Sequence, residues 1–162
     1  MGTVQESWQE RREQILQAAM EVLVDVGASS LTIRKVAKAA GVDPALIYHY
    51  FSSKDDLIQE VTSVPMGIMA DLSDPQRDLA GKLSALEQGI ARLWISSLMV
   101  CMADTPNRGR QQFDLVLDHL VCDADPAKRA MVVGLLFERY LLHATDYHEA
   151  VLQRYKQLVE AV

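Results

Sequence analysis

Apolar positions early in the chain fall into two helical stripes of different length. Over residues 10–26, Ile15, Ala19, Val22, Leu23 and Val26 recur at helical spacing, so they share one face of an amphipathic helix, and Gly27 marks its stop. After Thr32 a shorter stripe follows, made of Ile33, Val36, Ala37 and Ala40, with Arg34, Lys35 and Lys38 largely outside it. Gly41 can take the left-handed conformation that turns the chain sharply. Asp43 and Pro44 then restart the helix: an aspartate accepts from the free amides of a new first turn, and proline is tolerated at the first helical position. The pattern predicts a helix-turn-helix whose second helix runs through Ala45, Leu46, Ile47, Tyr48, His49 and Tyr50.

The rest of the chain continues in the helical period. Ser53 and Asp56 have the spacing of a capping box and predict a fourth helix from Lys54 through Leu57, Ile58 and Val61. A break is expected near residues 64–67, and Asp74-Pro75 repeats the aspartate-proline start. One long helix is then expected to carry Leu79, Leu83, Leu86, Ile90, Leu93, Ser97 and Cys101. Residues 105–110 read as a polar turn, and Phe113, Leu117, Leu120 and Val121 mark another helix. Asp125-Pro126 opens a helix over residues 127–143, and a last one runs from 146 to the end. On these two, Met131, Leu135, Leu142, Val151, Tyr155 and Leu158 form apolar stripes on adjacent antiparallel helices. Two readings fit: they pair with the same hairpin of a second chain in a four-helix bundle, or they complete the core of one chain.

Composition sharpens this picture. With 162 residues, 49% hydrophobic and 6% aromatic, the chain can bury a good core and favours helices over sheets. The expected fold is all-α: an N-terminal three-helix helix-turn-helix domain over residues 1–53 and a C-terminal helical bundle with dimerisation helices over 54–162. The longest apolar run, around residues 93–103, is too short and too interrupted by serines to span a bilayer, and no charged-then-apolar leader opens the chain, so a cytoplasmic protein is expected. Cys101 and Cys122 stand in apolar surroundings without a CxxC or Cys/His cluster, which predicts buried reduced thiols and no metal site. There is no GxSxG, phosphate-binding glycine loop or HExxH, so no catalytic residue and no cofactor is assigned. The net charge of −6 runs against DNA binding, yet Arg34, Lys35, Lys38 and Lys54 all belong to the expected DNA-facing elements, where local potential outweighs the sum.

Thr32, Arg34, Val36, Ala37, Gly41, Val42, Tyr48, Phe51 and Lys54 stand in the order and spacing of the tetracycline-repressor (TetR) family of bacterial transcription regulators, which the first third of the chain closely resembles. The resemblance implies a ligand-responsive repressor that binds a palindromic double-stranded DNA operator as a homodimer. It places Arg34 where some family members approach a guanine; a planar guanidinium can donate twice to O6 and N7, and a solvated surface arginine is the competing reading. Thr32 caps its helix and can also donate to phosphate. Tyr48 resembles the family's phosphate-reaching aromatic, with His49 and Tyr50 at the groove edge. Lys54 is expected to meet phosphate at the mouth of the fourth helix, and Lys35 belongs to the same face. Where the family often carries small polar residues, this chain has Asp43, Pro44 and Ala45; the last two can sense only a thymine methyl, and Asp43 either caps or accepts from a cytosine amino group. The family also implies a small-molecule effector cavity, for which Trp94, Leu98, Met99, Met102, Phe113, Leu117 and Phe137 are candidates, with His119 or Arg139 giving polarity; ordinary core packing is the alternative. Two rival functions remain at this point: a helical small-molecule-binding or interaction module with a weakened DNA reader, and an enzyme using Cys101 or Cys122 with a histidine. The enzyme ranks last because apolar stripes disfavour a thiolate.

Overall fold

A computed structural model describes residues 4–104, 107, 109–121 and 125–141. The described residues are helical throughout, with no strand among them: α1 Val4–Ser30, α2 Ile33–Ala40, α3 Pro44–Tyr50, α4 Lys54–Thr62, α5 Met66–Ser73, α6 Leu79–Ala85, α7 Gly89–Asp104, α8 Arg110–Leu120 and α9 Pro126–Leu141. The all-α expectation holds.

The long α1 is the common wall of the fold. Its apolar stripe, with Ile15, Ala19 and Leu23 fully buried, packs against α2, α4 and α7. One continuous core results, running from Ile15 through Phe51 and Leu57 to Trp94 and Leu136. Gly27 breaks the helix as expected, although one further turn, Ala28 to Ser30, follows it. Its φ of 77° and ψ of 166° lie in a region that residues with a Cβ avoid. Leu31 N–H then donates to Gly27 O at 3.1 Å, closing the corner before α2.

Helix ends follow their side-chain signals closely in the first half. Thr32, Asp43 and Ser53 accept from the amides of Lys35, Ala45 and Asp56 at 3.3, 2.7 and 3.1 Å, which starts α2, α3 and α4. Asp56 reaches back past its cap to Ser52, whose N–H donates to it at 2.8 Å. Gly41 ends α2 in the left-handed conformation (φ 65°, ψ 34°), with Gly41 N–H donating to Lys38 O and Val42 N–H to Ala37 O at 3.3 and 3.0 Å.

The middle of the chain departs from expectation. The break near 64–67 is confined to Ser63–Pro65, and α5 follows at once from Met66. Asp74-Pro75 closes α5 instead of opening a helix, because the Asp74 carboxylate accepts from Gln76 N–H at 2.9 Å and so builds a turn. Asp78 supplies the next start, accepting from Gly81 N–H at 2.7 Å. The expected single long helix is two, α6 and α7, separated by a corner at Leu86–Gly89 in which Gly89 has a φ of 53°. The stripe itself survives the corner except at Ile90, which is turned outward and 49% exposed. Downstream, α8 and α9 form as expected, and Asp125 accepts from Ala127 N–H at 2.9 Å to start α9. Cys101 is buried; Cys122 and the expected last helix lie outside the described residues.

Replacing Gly27 tests the corner. A Cβ there must adopt the strained backbone and would stand 3.3 Å from Asp104 Oδ2. Gly27→Ala is expected to lower the unfolding free energy by about 1–3 kcal/mol in a urea titration; an unchanged midpoint would contradict this reading of the corner.

Candidate nucleic-acid interface

The second helix of the helix-turn-helix is held at both ends and by one anchor. Asp43 and Pro44 fix its start, Phe51 N–H donates to Ile47 O at 2.9 Å at its end, and Ile47 is fully buried beneath it. With Ile47 facing the core, the opposite side presents Ala45, Tyr48 and His49, all exposed, with Tyr48 open over 58% of its surface. Pro44 is half-buried at the helix start. The Asp43 carboxylate is engaged in its cap, so the exposed hydrogen-bonding side chains opposite Ile47 on α3 are Tyr48 and His49.

On α2, Arg34 and Lys38 are exposed. Thr32 accepts in its cap and keeps its hydroxyl proton to donate. Lys35 and Lys54 converge on one short turn: Lys35 Nζ donates to Ser30 O at 2.9 Å and Lys54 Nζ to Ser29 O at 3.4 Å. Two ammonium groups from different helices thereby stand on adjacent carbonyls, a local concentration of positive charge in an acidic chain.

Tyr50 sits differently from its neighbours. It is half-buried, its ring 4.9 Å from that of Trp8, 5.7 Å edge-on from His49 and 6.4 Å from Phe51. Trp8 on α1 therefore braces the end of the reading helix, a role that reading the sequence missed. The available signal was spacing, since Trp8, Arg12, Ile15 and Ala19 lie on one helical face. Arg12 continues that face: its guanidinium lies 5.4 Å from the centre of the Phe51 ring and bonds Glu60 at 2.6 Å, tying α1 to α4.

The other candidate residues divide. Trp94, Leu98 and Met99 are completely buried in the core. Met102, Phe113, Leu117 and Phe137 line a cleft of ≈ 580 Å³ between α7, α8 and α9, beside Arg110, Asp114 and Arg129. His119 and Arg139 do not line it; the His119 carbonyl accepts from the buried Lys82 at 2.7 Å, and Arg139 lies 3.6 Å from Glu87. Of the dimer candidates, Met131 is half-buried and Leu135 is buried within the single chain, whereas Leu142, Val151, Tyr155 and Leu158 lie outside the described residues.

Two short helices set by a left-handed glycine, with a third behind them and cations at their margin, define a helix-turn-helix, the arrangement by which many proteins read DNA. Residues 15–61 match the family model described as bacterial regulatory proteins, tetR family, a stretch that takes in the entire helix-turn-helix. Over 64 residues the chain is 44% identical to the HTH-type transcriptional regulator BetI 1 of Chromohalobacter salexigens, covering 40% of this chain and 30% of that protein. To the BetI regulator of Escherichia coli O17:K52:H18 it is 32% identical over 149 residues, 91% of this chain and 61% of that protein. The chain thus spans less than two thirds of the length of these curated relatives. Among solved structures, its fold resembles that of NalD, the secondary repressor of the MexAB-OprM multidrug efflux pump in Pseudomonas aeruginosa, with a TM-score of 0.61 and 23% identity over 94% of this chain and 96% of that one. Residues 15–61 thus carry the helix-turn-helix of the TetR family, and the fold of the whole chain is similar to that of a TetR-family regulator from Streptomyces coelicolor, with a TM-score of 0.57 and 21% identity over 99% of this chain and 98% of that one.

Trp8 offers a direct check on how the reading helix is held. Trp8→Ala is expected to lower stability by about 1 kcal/mol, the worth of an aromatic pair, while Trp8→Phe retains most of it. Equal denaturation curves for Trp8→Ala and the parent would remove Trp8 from the brace.

Proposed function

We propose that the protein is a sequence-specific repressor that acts in the cytoplasm, as a homodimer, on a palindromic DNA operator and releases it in response to a small-molecule effector. The observation that carries this reading is the outward face of α3, where Ala45, Tyr48 and His49 stand opposite the buried Ile47 beside the cations of α2 and α4. Residues 1–53 serve as the reading head and 54–162 as the effector-binding and dimerisation part. Arg34 is the base reader, donating to a guanine edge. Tyr48 and Thr32 donate to phosphate, and Lys35 and Lys54 exchange their carbonyl partners for phosphate oxygens. Ala45 and Pro44 approach the groove without reading a donor pattern, Asp43 holds the helix start, and His49 and Tyr50 lie at the groove edge.

Two such heads fit successive major grooves when their centres are roughly 34–36 Å apart, which requires a twofold pairing. The pairing surface is assigned to α9, with Met131 at its margin and Leu135 beneath, together with the segment that carries Leu142, Val151, Tyr155 and Leu158. The effector site is assigned to the cleft of Met102, Phe113, Leu117 and Phe137, whose apolar wall and Arg110, Asp114 and Arg129 rim suit a small amphipathic molecule. Trp94, Leu98 and Met99 form the core of α7 behind it.

Selection of duplexes from a random library by the purified protein tests this reading, and enrichment of one inverted repeat is expected. On the enriched duplex, Arg34→Ala should cost about 1–3 kcal/mol and relax preference at one position in each half-site, while Tyr48→Phe should cost about 1 kcal/mol whatever the sequence. Unchanged affinity in both variants would overturn the residue assignment. A folded protein that enriches nothing would favour the interaction-module reading.

A further inference from the structure

The C-terminal residue of α7 is an aspartate, which is the wrong charge for that place. A helix C-terminus carries partial negative charge and favours cations, yet the last turn of α7 holds no basic residue and ends at Asp104. The compensation comes from another element. Asp104 Oδ2 accepts from Ser29 N–H at 2.5 Å, across the corner that Gly27 opens at the end of α1. Only a glycine leaves this approach uncrowded, since a Cβ at position 27 would lie 3.3 Å from that oxygen. The Ser29 amide, then the Ser29 hydroxyl, the Ala28 amide and the charge of Lys54 hold the Asp104 carboxyl below the ordinary carboxylate range, against a smaller opposing effect of desolvation.

The same three residues, Ala28 to Ser30, are gripped from the other side. Their carbonyls receive Lys54 Nζ, from the start of α4, and Lys35 Nζ, from α2. Asp104 binds the N–H of the Ala28–Ser29 peptide while the lysines bind the carbonyls of the next two peptides, so the carboxylate holds in place the backbone that presents those carbonyls. A residue of α7 thus acts on the turn that seats the cations of α2 and α4.

We propose that Asp104 is a positioning residue for DNA binding: it ties α7 to the turn of Ala28 to Ser30 and so holds the Lys35 and Lys54 ammonium groups where they meet phosphate. This rests on the DNA-binding reading above. It has a distinguishable rival in plain electrostatics, in which an exposed carboxylate close to the reading face only repels DNA.

The sign of the effect separates the two. Affinity for the enriched duplex is measured by fluorescence anisotropy for the parent, Asp104→Asn, Asp104→Ala, Lys54→Ala and the Asp104→Ala/Lys54→Ala pair. Positioning predicts that Asp104→Ala weakens binding roughly tenfold, Asp104→Asn less, and that the loss shrinks when Lys54 is already absent, because residues of one network are not additive. Affinity equal to or tighter than the parent in both Asp104 variants overturns the proposal. If Asp104→Ala does not fold, Asp104→Asn, with the same shape and one acceptor kept, decides alone. Amide exchange of residues 28–40 is followed in the same variants without DNA. Faster exchange at Ser29 that spreads into α2 is expected, and exchange identical to the parent overturns the joint even if the parent itself enriches no duplex, a result that would count separately against the DNA-binding reading.

Discussion

Everything in this fold leans on the burial of one face of α1. Ile15, Ala19 and Leu23 have no exposed surface, and the helix that carries them packs against α2 and α4 on the reading side and against α7 in the body. The helix-turn-helix and the helices behind it therefore share one wall and one core. The wall ends at Gly27, in a backbone conformation open to glycine, and at the corner so formed Asp104 of α7 and Lys54 of α4 bond the same residue, Ser29.

Presentation of the reading helix follows from a short series of local constraints. Gly41 turns the chain, Asp43 and Pro44 start α3 at a set angle, Ile47 fixes its rotation, and Trp8 closes over Tyr50 at its end. What remains outward is a small face with one aromatic hydroxyl and one imidazole. The acidic balance of the chain does not oppose this, because Lys35 and Lys54 are gathered on the turn before α2, while Asp43 and Asp56 are occupied with amides. On the proposed reading, such a surface would neutralise few phosphates and draw its affinity from fit.

The helix-turn-helix was legible in the sequence because each of its boundaries is enforced by the residue that signals it: Thr32, Gly41, Asp43 and Ser53 make the very bonds their positions suggest. The middle of the chain was not, for two physical reasons. Aspartate-proline stabilises a turn as well as a helix start, so Asp74 could end α5 while Asp43 began α3. The corner between α6 and α7 keeps Leu83, Leu86 and Trp94 buried on either side, so the apolar period runs on across it, and the break shows only in the φ of Gly89 and the outward turn of Ile90. Within the site, the residues near the turn were readable, but the Trp8–Tyr50 and Asp104–Ser29 contacts join residues far apart along the chain, and no local pattern names those partners. Trp94, Leu98 and Met99 show the reverse case, where an apolar stripe suitable for a cavity wall is filled by its own core.

The central claim is that an acidic chain reads DNA through a small, local group of cations and a fitted helix. Its most direct test is the salt dependence of binding to an enriched duplex and to a scrambled one of equal length, from about 50 to 200 mM. The account predicts a negative log–log slope of about −0.9 per neutralised phosphate for the enriched duplex. Binding to the scrambled duplex should fade at the upper salt while the enriched one is still held. Equal affinity for the two duplexes at every salt concentration, or no salt dependence for either, would contradict it.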